Sequence, residues 1–341
     1  MKVIINKDIS AAEWDKRVTH CGGNYFHTHA YALYETNNSS GTPLFLSLVT
    51  PNGDVEGIAV VHLESPKLWP FSIYCKKASF GALPETLNSD DLLPFMRLIE
   101  DELAKLGVFY IFNHAYESRH SKDILTVLGY QLNERSEFYI SLEASEDDIW
   151  KKLKGSKRTD IRKAEKKGVE SVFKHSIESV AQLKSMQKSA LARKGVVVSN
   201  HSKMVKRIKD KLIDLDRAVV VTSKVDNEAI NAGLFGYYND KVYYVISGST
   251  IDGNKFSGPA HMIWHTILQF KKKGFKSINL GGVSEGESQN QAGLFSFKKD
   301  FGAEIVNQPS GQKILSSTGN LLNKVKNWLQ LLKATKLNYN S

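Results

Sequence analysis

Hydrophobic and polar positions change period many times along the chain. Apolar runs rich in β-branched and aromatic residues at 3–5, 44–49, 57–63 and 72–79 predict strands. The turn Pro51-Asn52-Gly53-Asp54 separates the second from the third. Helical spacing marks 10–19, where Ser10 and Glu13 stand as in a capping box, and 30–35. Over 89–106, Leu92, Phe95, Met96, Ile99, Leu103 and Leu106 share one helical face, and Gly107 ends it. A strand at 108–112, a helix ending at Leu128-Gly129 and a strand at 138–142 follow.

The second half repeats that order. A strand at 169–173 leads to helices at 177–193 and 203–215 and strands at 218–224, 229–238 and 241–247. A helix at 258–273 is stopped by Gly274; then come a strand at 277–280, a helical 294–300 and a strand at 303–306. Strands alternating with helices predict an α/β fold of two tandem units, each a mixed sheet flanked by helices. The expected division is 1–143, 144–312 and a closing helix at 313–341.

Composition narrows the function. The 341 residues are 41% hydrophobic and 24% charged, enough for packed cores. The net charge of +10 points to an anionic partner: nucleic acid, a phosphorylated metabolite or an acidic membrane face. Two cysteines, Cys21 and Cys75, make no disulfide framework and fit a reducing compartment. The opening residues lack the apolar core of a signal peptide, and no window reaches 18 apolar residues, so the expected location is cytoplasmic.

The densest charge lies at 150–168, WKKLKGSKRTDIRKAEKKG, read as one helix opening the second unit. Lys151, Lys152, Lys154, Lys157, Arg158, Arg162, Lys163, Lys166 and Lys167 face only Asp160 and Glu165. For any single lysine, a solvated helix face is the plain reading. The density suits a groove for phosphates, with Lys157, Arg158 and Arg162 as contacts.

This segment resembles the opening motif of the Fem family of aminoacyltransferases, W-x-x-L…S-x-R-x-x-I-R-K-A-x-K-x-G, matched by Trp150, Leu153, Ser156, Arg158, Ile161, Arg162, Lys163, Ala164, Lys166 and Gly168. Residues 293–303, GLFSFKKDFGA, are similar to the family's G-L-x-x-F-K-x-x-F-G. Residues 258–282 resemble the helix and G-x-x-x-x-x-L-G-G strand that precede it. The resemblance implies two tandem domains of the Gcn5-related N-acetyltransferase type, without the coiled-coil arm of some members. It implies transfer of an amino acid from aminoacyl-tRNA to an amine of a peptidoglycan or lipid-linked saccharide precursor, by a monomer with no permanently bound cofactor.

By the same resemblance, Lys298 would hold the donor's terminal ribose or the oxyanion, and Phe297 would shape the pocket. The plainer assignment is a core Phe297 and a solvated Lys298. Arg193, in Leu191-Ala192-Arg193-Lys194-Gly195, would contact the acceptor's diphosphate; a cation at a helix C-terminus is also expected there for the dipole alone. Tyr243 and Tyr244 alternate on a strand, so one of them points to a helix-covered face. The family's acidic residue after the first-unit strand is absent, and Asn113-His114-Ala115 stands there. His114 would accept a proton near neutral pH. His27 and His29 stand where many members carry glutamine or serine. These departures surround the expected acceptor cleft and leave the acceptor open.

Other chemistries find less support. An acyl-CoA-dependent N-acyltransferase acting on an amino sugar needs a pyrophosphate loop. The nearest match, Lys255-Phe256-Ser257-Gly258-Pro259-Ala260, loses one amide donor at Pro259. His261 and His265 have metal-compatible spacing but no accompanying glutamate, so no metal is expected. A non-catalytic basic module for RNA or anionic lipid is the third reading. The tail, 311–341, carries five lysines and no acid. Leu321, Leu322, Val325, Trp328, Leu329 and Leu332 lie on one helical face beside Lys324, Lys326 and Lys333. That helix either packs on the second unit or lies on an anionic membrane through 318–336.

Overall fold

A computed structural model describes residues 1–36, 41–67, 69, 71–193, 195, 201–284 and 289–339, with side chains except at 201, 289, 290 and 329–339. Lys194, Leu329, Leu332 and Lys333 therefore lie outside what is described of side chains.

The strands in chain order are β1 (Lys2–Asn6), β2 (Thr42–Val49), β3 (Val55–Glu64), β4 (Lys76–Phe80), β5 (Glu85–Thr86), β6 (Val108–Asn113) and β7 (Gln131–Asn133). They continue as β8 (Arg135–Ser141), β9 (Glu170–Lys174), β10 (Ala218–Val225), β11 (Glu228–Tyr238), β12 (Lys241–Ser249), β13 (Ser277–Ser284), β14 (Glu304–Asn307) and β15 (Ser310–Ile314). They form two sheets, ordered β1-β2-β3-β4-β6-β15-β7 and β14-β8-β13-β12-β11-β10-β9. In each, one pair is parallel, β4 with β6 and β12 with β13, across a helical crossover.

The chain divides into unit 1, 1–134 with 308–341, and unit 2, 135–307. This corrects the expected boundaries. The strand read at 138–142 pairs with β13 and β14 in unit 2. After β14 the chain returns to unit 1, where β15 pairs with β6 and β7. The closing helix Ser317–Tyr339 accordingly belongs to unit 1 and not to a separate segment on unit 2. Only Glu134 separates β7 from β8, and only Gln308 and Pro309 separate β14 from β15. Adjacent strands are expected to pair; here each joint instead hands the chain to the other unit.

Each unit has its own core. In unit 1, the helix Leu92–Lys105 lays Phe95, Met96, Ile99 and Leu103 against Leu46, Leu48, Val61 and Phe80. In unit 2, the helix Gly258–Lys272 lays Met262, Ile263, Ile267 and Phe270 against Val219, Val221 and Phe235. At about 25 cal/mol per Å² of buried apolar surface, these faces are what hold helix to sheet.

Two further expectations change. The run 72–79 is a short helix, Phe71–Tyr74, followed by β4, and Gly107 passes so close to the Ile73 carbonyl that a Cβ there would collide with it. The basic segment is two helices, Glu146–Lys152 and Gly155–Lys166, not one. Leu153 is buried at the break, and the Lys154 amide donates to Asp300 O at 2.9 Å.

Candidate active site

In unit 2 the parallel pair parts early. β12 and β13 pair only through Lys241↔Ser277, Val242↔Ile278 and Tyr243↔Asn279, although both run on. Each strand bulges where pairing ends. On β12, Val245 is skipped between Tyr244 and Ile246 in the register with β11. On β13, Leu280 and Gly281 together oppose one residue of β8. Bulges bend a strand and increase its twist. Gly281 takes φ +77°, a left-handed conformation that favours glycine.

Lys298 reaches this gap. It sits on the helix Gln289–Lys299 and is only 6% exposed. Its Nζ donates to Gly282 O at 3.1 Å and lies 5.8 Å from the centre of the Phe138 ring. A Cβ added to Gly281 would stand 3.5 Å from that Nζ and 3.4 Å from Tyr244 O, so the ammonium lies beside the seam between the strands.

Around it is a network from β8 and β13. Arg135 pairs with Glu137 at 2.6 Å. Glu137, 1% exposed, also accepts from the Tyr139 hydroxyl at 2.6 Å and from Asn279 Nδ2 at 2.8 Å. Asn279 Oδ1 in turn accepts from the Gly281 amide at 2.7 Å and fixes the bulge. Three donors thus converge on the Glu137 carboxyl group. The cluster holds two cations against one carboxylate. Burial, and then the Arg135 charge, lower the Lys298 pKa from 10.5 to about 8, although Glu137 opposes the shift. Lys298 is therefore not the solvated lysine of the plainer assignment.

A second buried cation supports the same helix. Lys157, 7% exposed, places Nζ 4.4 Å from the Phe297 ring centre and 5.5 Å from that of Phe301. Its ion pair is Asp160, at 3.5 Å. Phe297 and Phe301 meet edge to face at 5.4 Å. Phe297 is half-buried and packs against the core of unit 2.

The remaining candidates separate. Arg158 Nη1 donates to Leu153 O at 2.6 Å and Lys151 O at 3.1 Å, where it caps the preceding helix. Lys157 and Arg158 therefore do not form a solvated cationic stripe. Arg162 stays exposed, 5.3 Å above the Trp150 ring. Arg193 caps its helix and donates to Ser249 O at 2.7 Å, near the end of β12. Tyr243 is buried. Tyr244 stacks on Phe235 at 5.0 Å, and burial pushes its hydroxyl up to about 12.

His29 and His114 belong to unit 1. His29 stacks on Phe45 at 4.9 Å, and His114 stacks on Tyr116 at 5.0 Å. His27 is buried; its Nε2 bonds Leu83 O at 2.8 Å, and burial lowers it to about 4. Among the described residues, no group of histidines, cysteines and carboxylates is placed to hold a metal.

Sequence reading missed Arg135, Glu137, Tyr139 and Asn279. The available signal was a pair of charges, Arg135 and Glu137, inside an otherwise strand-forming run. Lys157 had a signal too: Ile161 and Ala164, at i+4 and i+7, mark the buried face it shares.

Comparison with known proteins follows the same lines. Residues 198–312 match the FemAB family. No curated protein sequence matches the chain. Among solved structures, FemX aligns over 95% of this chain and 99% of its own, with TM-score 0.74 and 15% identity. L-PGS from Bacillus licheniformis aligns over 92% and 96%, with TM-score 0.56 and 11% identity. A tandem GNAT protein of the clavulanic acid biosynthesis pathway aligns over 92% and 98%, with TM-score 0.55 and 6% identity. These likenesses show the fold, two acetyltransferase-type units in tandem. Segment 198–312, which carries the parted strands and Lys298, is similar to the FemAB family.

Proposed function

We propose that the chain transfers an aminoacyl group from aminoacyl-tRNA to an amine of a phosphorylated or lipid-linked cell-envelope precursor, such as one of peptidoglycan. The observation that carries this reading is the buried excess of positive charge at Lys298, beside a gap between parallel strands.

Acyl transfer from an ester to an amine passes through a tetrahedral oxyanion. The amine nitrogen forms the new C–N bond, and the C–O bond to the terminal ribose breaks. The amine's proton ends on the ribose hydroxyl. An ammonium fixed in a dry site stabilises either the oxyanion or the departing ribose oxygen, which is usually the largest catalytic contribution. Glu137, Tyr139 and Asn279 hold the gap's geometry, and the Lys157–Phe297 contact holds the helix that carries Lys298. Arg162 and its exposed lysine neighbours suit the tRNA backbone. Charged tRNA is made in the cytoplasm, which is where this reading puts the enzyme.

Acyl-CoA is the second donor considered, and the helix Gly258–Lys272 argues against it. Pro259 has no N–H, and the Ala260 amide is already bonded to Ser257 O at 3.1 Å. The Asp160 carboxylate accepts from Ser257 Oγ at 3.4 Å, which sets a negative charge beside that terminus. A pyrophosphate would find few amides and a repelling neighbour.

Binding of the purified chain to charged tRNA, uncharged tRNA and acetyl-CoA at two salt concentrations tests the donor. The expected result is tight, salt-sensitive binding of charged tRNA and none of acetyl-CoA. Acetyl-CoA binding without a preference for tRNA would move the chain to the amino-sugar N-acyltransferases.

A further inference from the structure

Unit 1 carries an apolar face that its own core does not use. The helix Ser317–Tyr339, read from sequence as either packing on the second unit or lying on an anionic membrane, leaves Leu321 63% exposed and Trp328 59%, with Val325 exposed between them. These three stand at i, i+4 and i+7, on one face. The opposite side of the helix is the packed one. Gly319 lies against Phe109 and the Tyr74 carbonyl, and its own carbonyl accepts from Cys75 Sγ at 3.6 Å.

The element it packs against is also apolar outside. The short helix Phe71–Tyr74 exposes Ile73 and Tyr74, and Trp69 just before it is 77% exposed. Positive charge surrounds both. Residues 65–77 hold Lys67, Lys76 and Lys77 and no acid, and the tail from 311 onward holds five lysines and no acid. Lys326 and Lys77 both act electrostatically on the Cys75 thiol, so the two basic segments converge there. A recess of about 410 Å³ opens beside them, lined by Ile73, Tyr74, Lys76, Leu106, Gly107 and Ser316.

Exposed tryptophan, tyrosine and aliphatic side chains ringed by lysines suit one environment above others: the headgroup layer of an anionic bilayer. There aromatic rings bury their apolar bodies and lysines meet lipid phosphates. No described helix is long and apolar enough to cross a membrane, so the contact is peripheral. We propose that unit 1 docks on an anionic phospholipid bilayer through Trp69, Ile73, Tyr74, Leu321, Val325 and Trp328, with Lys67, Lys324 and Lys326 as the charged rim. This docking does not depend on the donor or on Lys298.

The test is co-sedimentation of the full chain with phosphatidylcholine vesicles, with and without phosphatidylglycerol. Binding is expected to be at least about tenfold stronger with the anionic lipid and to weaken in high salt. The double variant L321S/W328S is expected to lose about tenfold while its circular dichroism is unchanged, since both side chains are exposed. The variant K324E/K326E is expected to lose the preference for anionic lipid. Equal binding by L321S/W328S and the unaltered chain overturns the proposal. So does no binding to anionic vesicles, including the case where the face instead forms a concentration-dependent dimer.

Discussion

The two units carry the same parallel strand pair, and they treat it oppositely. In unit 1, β4 and β6 stay in register from Lys77↔Tyr110 to Phe80↔Asn113. Beyond the strands, the His114 amide donates to Phe80 O at 2.9 Å and the Tyr116 amide to Gly81 O at 2.8 Å, so the seam stays closed. Phe26 then covers it, with Tyr116 at 4.8 Å and Tyr31 at 5.0 Å. In unit 2 the pair parts after Tyr243↔Asn279, and glycines and a buried ammonium take the place of backbone pairing. One parallel pair stays closed, and the other gives up backbone hydrogen bonds and leaves a gap with a cation beside it. Under the proposed function, that gap is where transfer takes place.

The largest effect expected is at the gap itself. Lys298→Met removes the ammonium and keeps most of the side-chain volume. Transfer is expected to fall by about 10²–10³, roughly 3–4 kcal/mol of transition-state stabilisation, with thermal unfolding little changed. Loss of the fold instead of the activity would make Lys298 a packing residue. The lowered pKa adds a pH signature. If the ammonium form acts, the rate falls as pH rises through about 8. The stability effect has the opposite sign. The unfolded chain binds more protons between about 8 and 10.5, so stability rises with pH across that window.

Acid compares the units as folded bodies. His27 in unit 1 and His261 in unit 2 are both lowered to about 4, the first by burial, the second by burial and then by His265. Each is neutral when folded. Their contribution is complete above about 6.5, falls as pH drops and is lost below about 4. For His27 the loss is roughly 3 kcal/mol. Denaturant titrations between pH 7 and 4 should show it, and His27→Gln should flatten the curve.

Gly282→Ala is expected to damage the gap alone. A Cβ there collides with the Arg135 guanidinium and breaks its hold on Glu137. The expected cost is roughly 2–3 kcal/mol of stability, with activity lowered about tenfold. An unchanged enzyme would show that the Arg135–Glu137 pair does not order the site. The smallest effect expected is at Lys157→Met, which removes the cation from the Phe297 and Phe301 rings. It should cost about 1–2 kcal/mol and raise the mobility of the Lys298 helix, read as a modest loss of rate.

Periodicity made nearly every element legible, because hydrophobic spacing follows helix and strand geometry. It did not reveal strand partners, since β8 and β15 each leave a sequence neighbour to pair across the chain. Motif resemblance pointed to Lys298 and Phe297. It could not supply Glu137 and Asn279, which lie 142 positions apart and meet only through sheet order. Lys157 and Arg158 read as surface charge because nine cations in one segment mask which of them face inward.

The most direct test is transfer of labelled amino acids from a charged tRNA pool to a peptidoglycan precursor, with the unaltered chain and with Lys298→Met, across pH 6 to 9. The account predicts labelled acceptor, a rate that declines above about pH 8, and a variant that binds charged tRNA without transferring from it. Equal transfer by the Lys298→Met variant would contradict it.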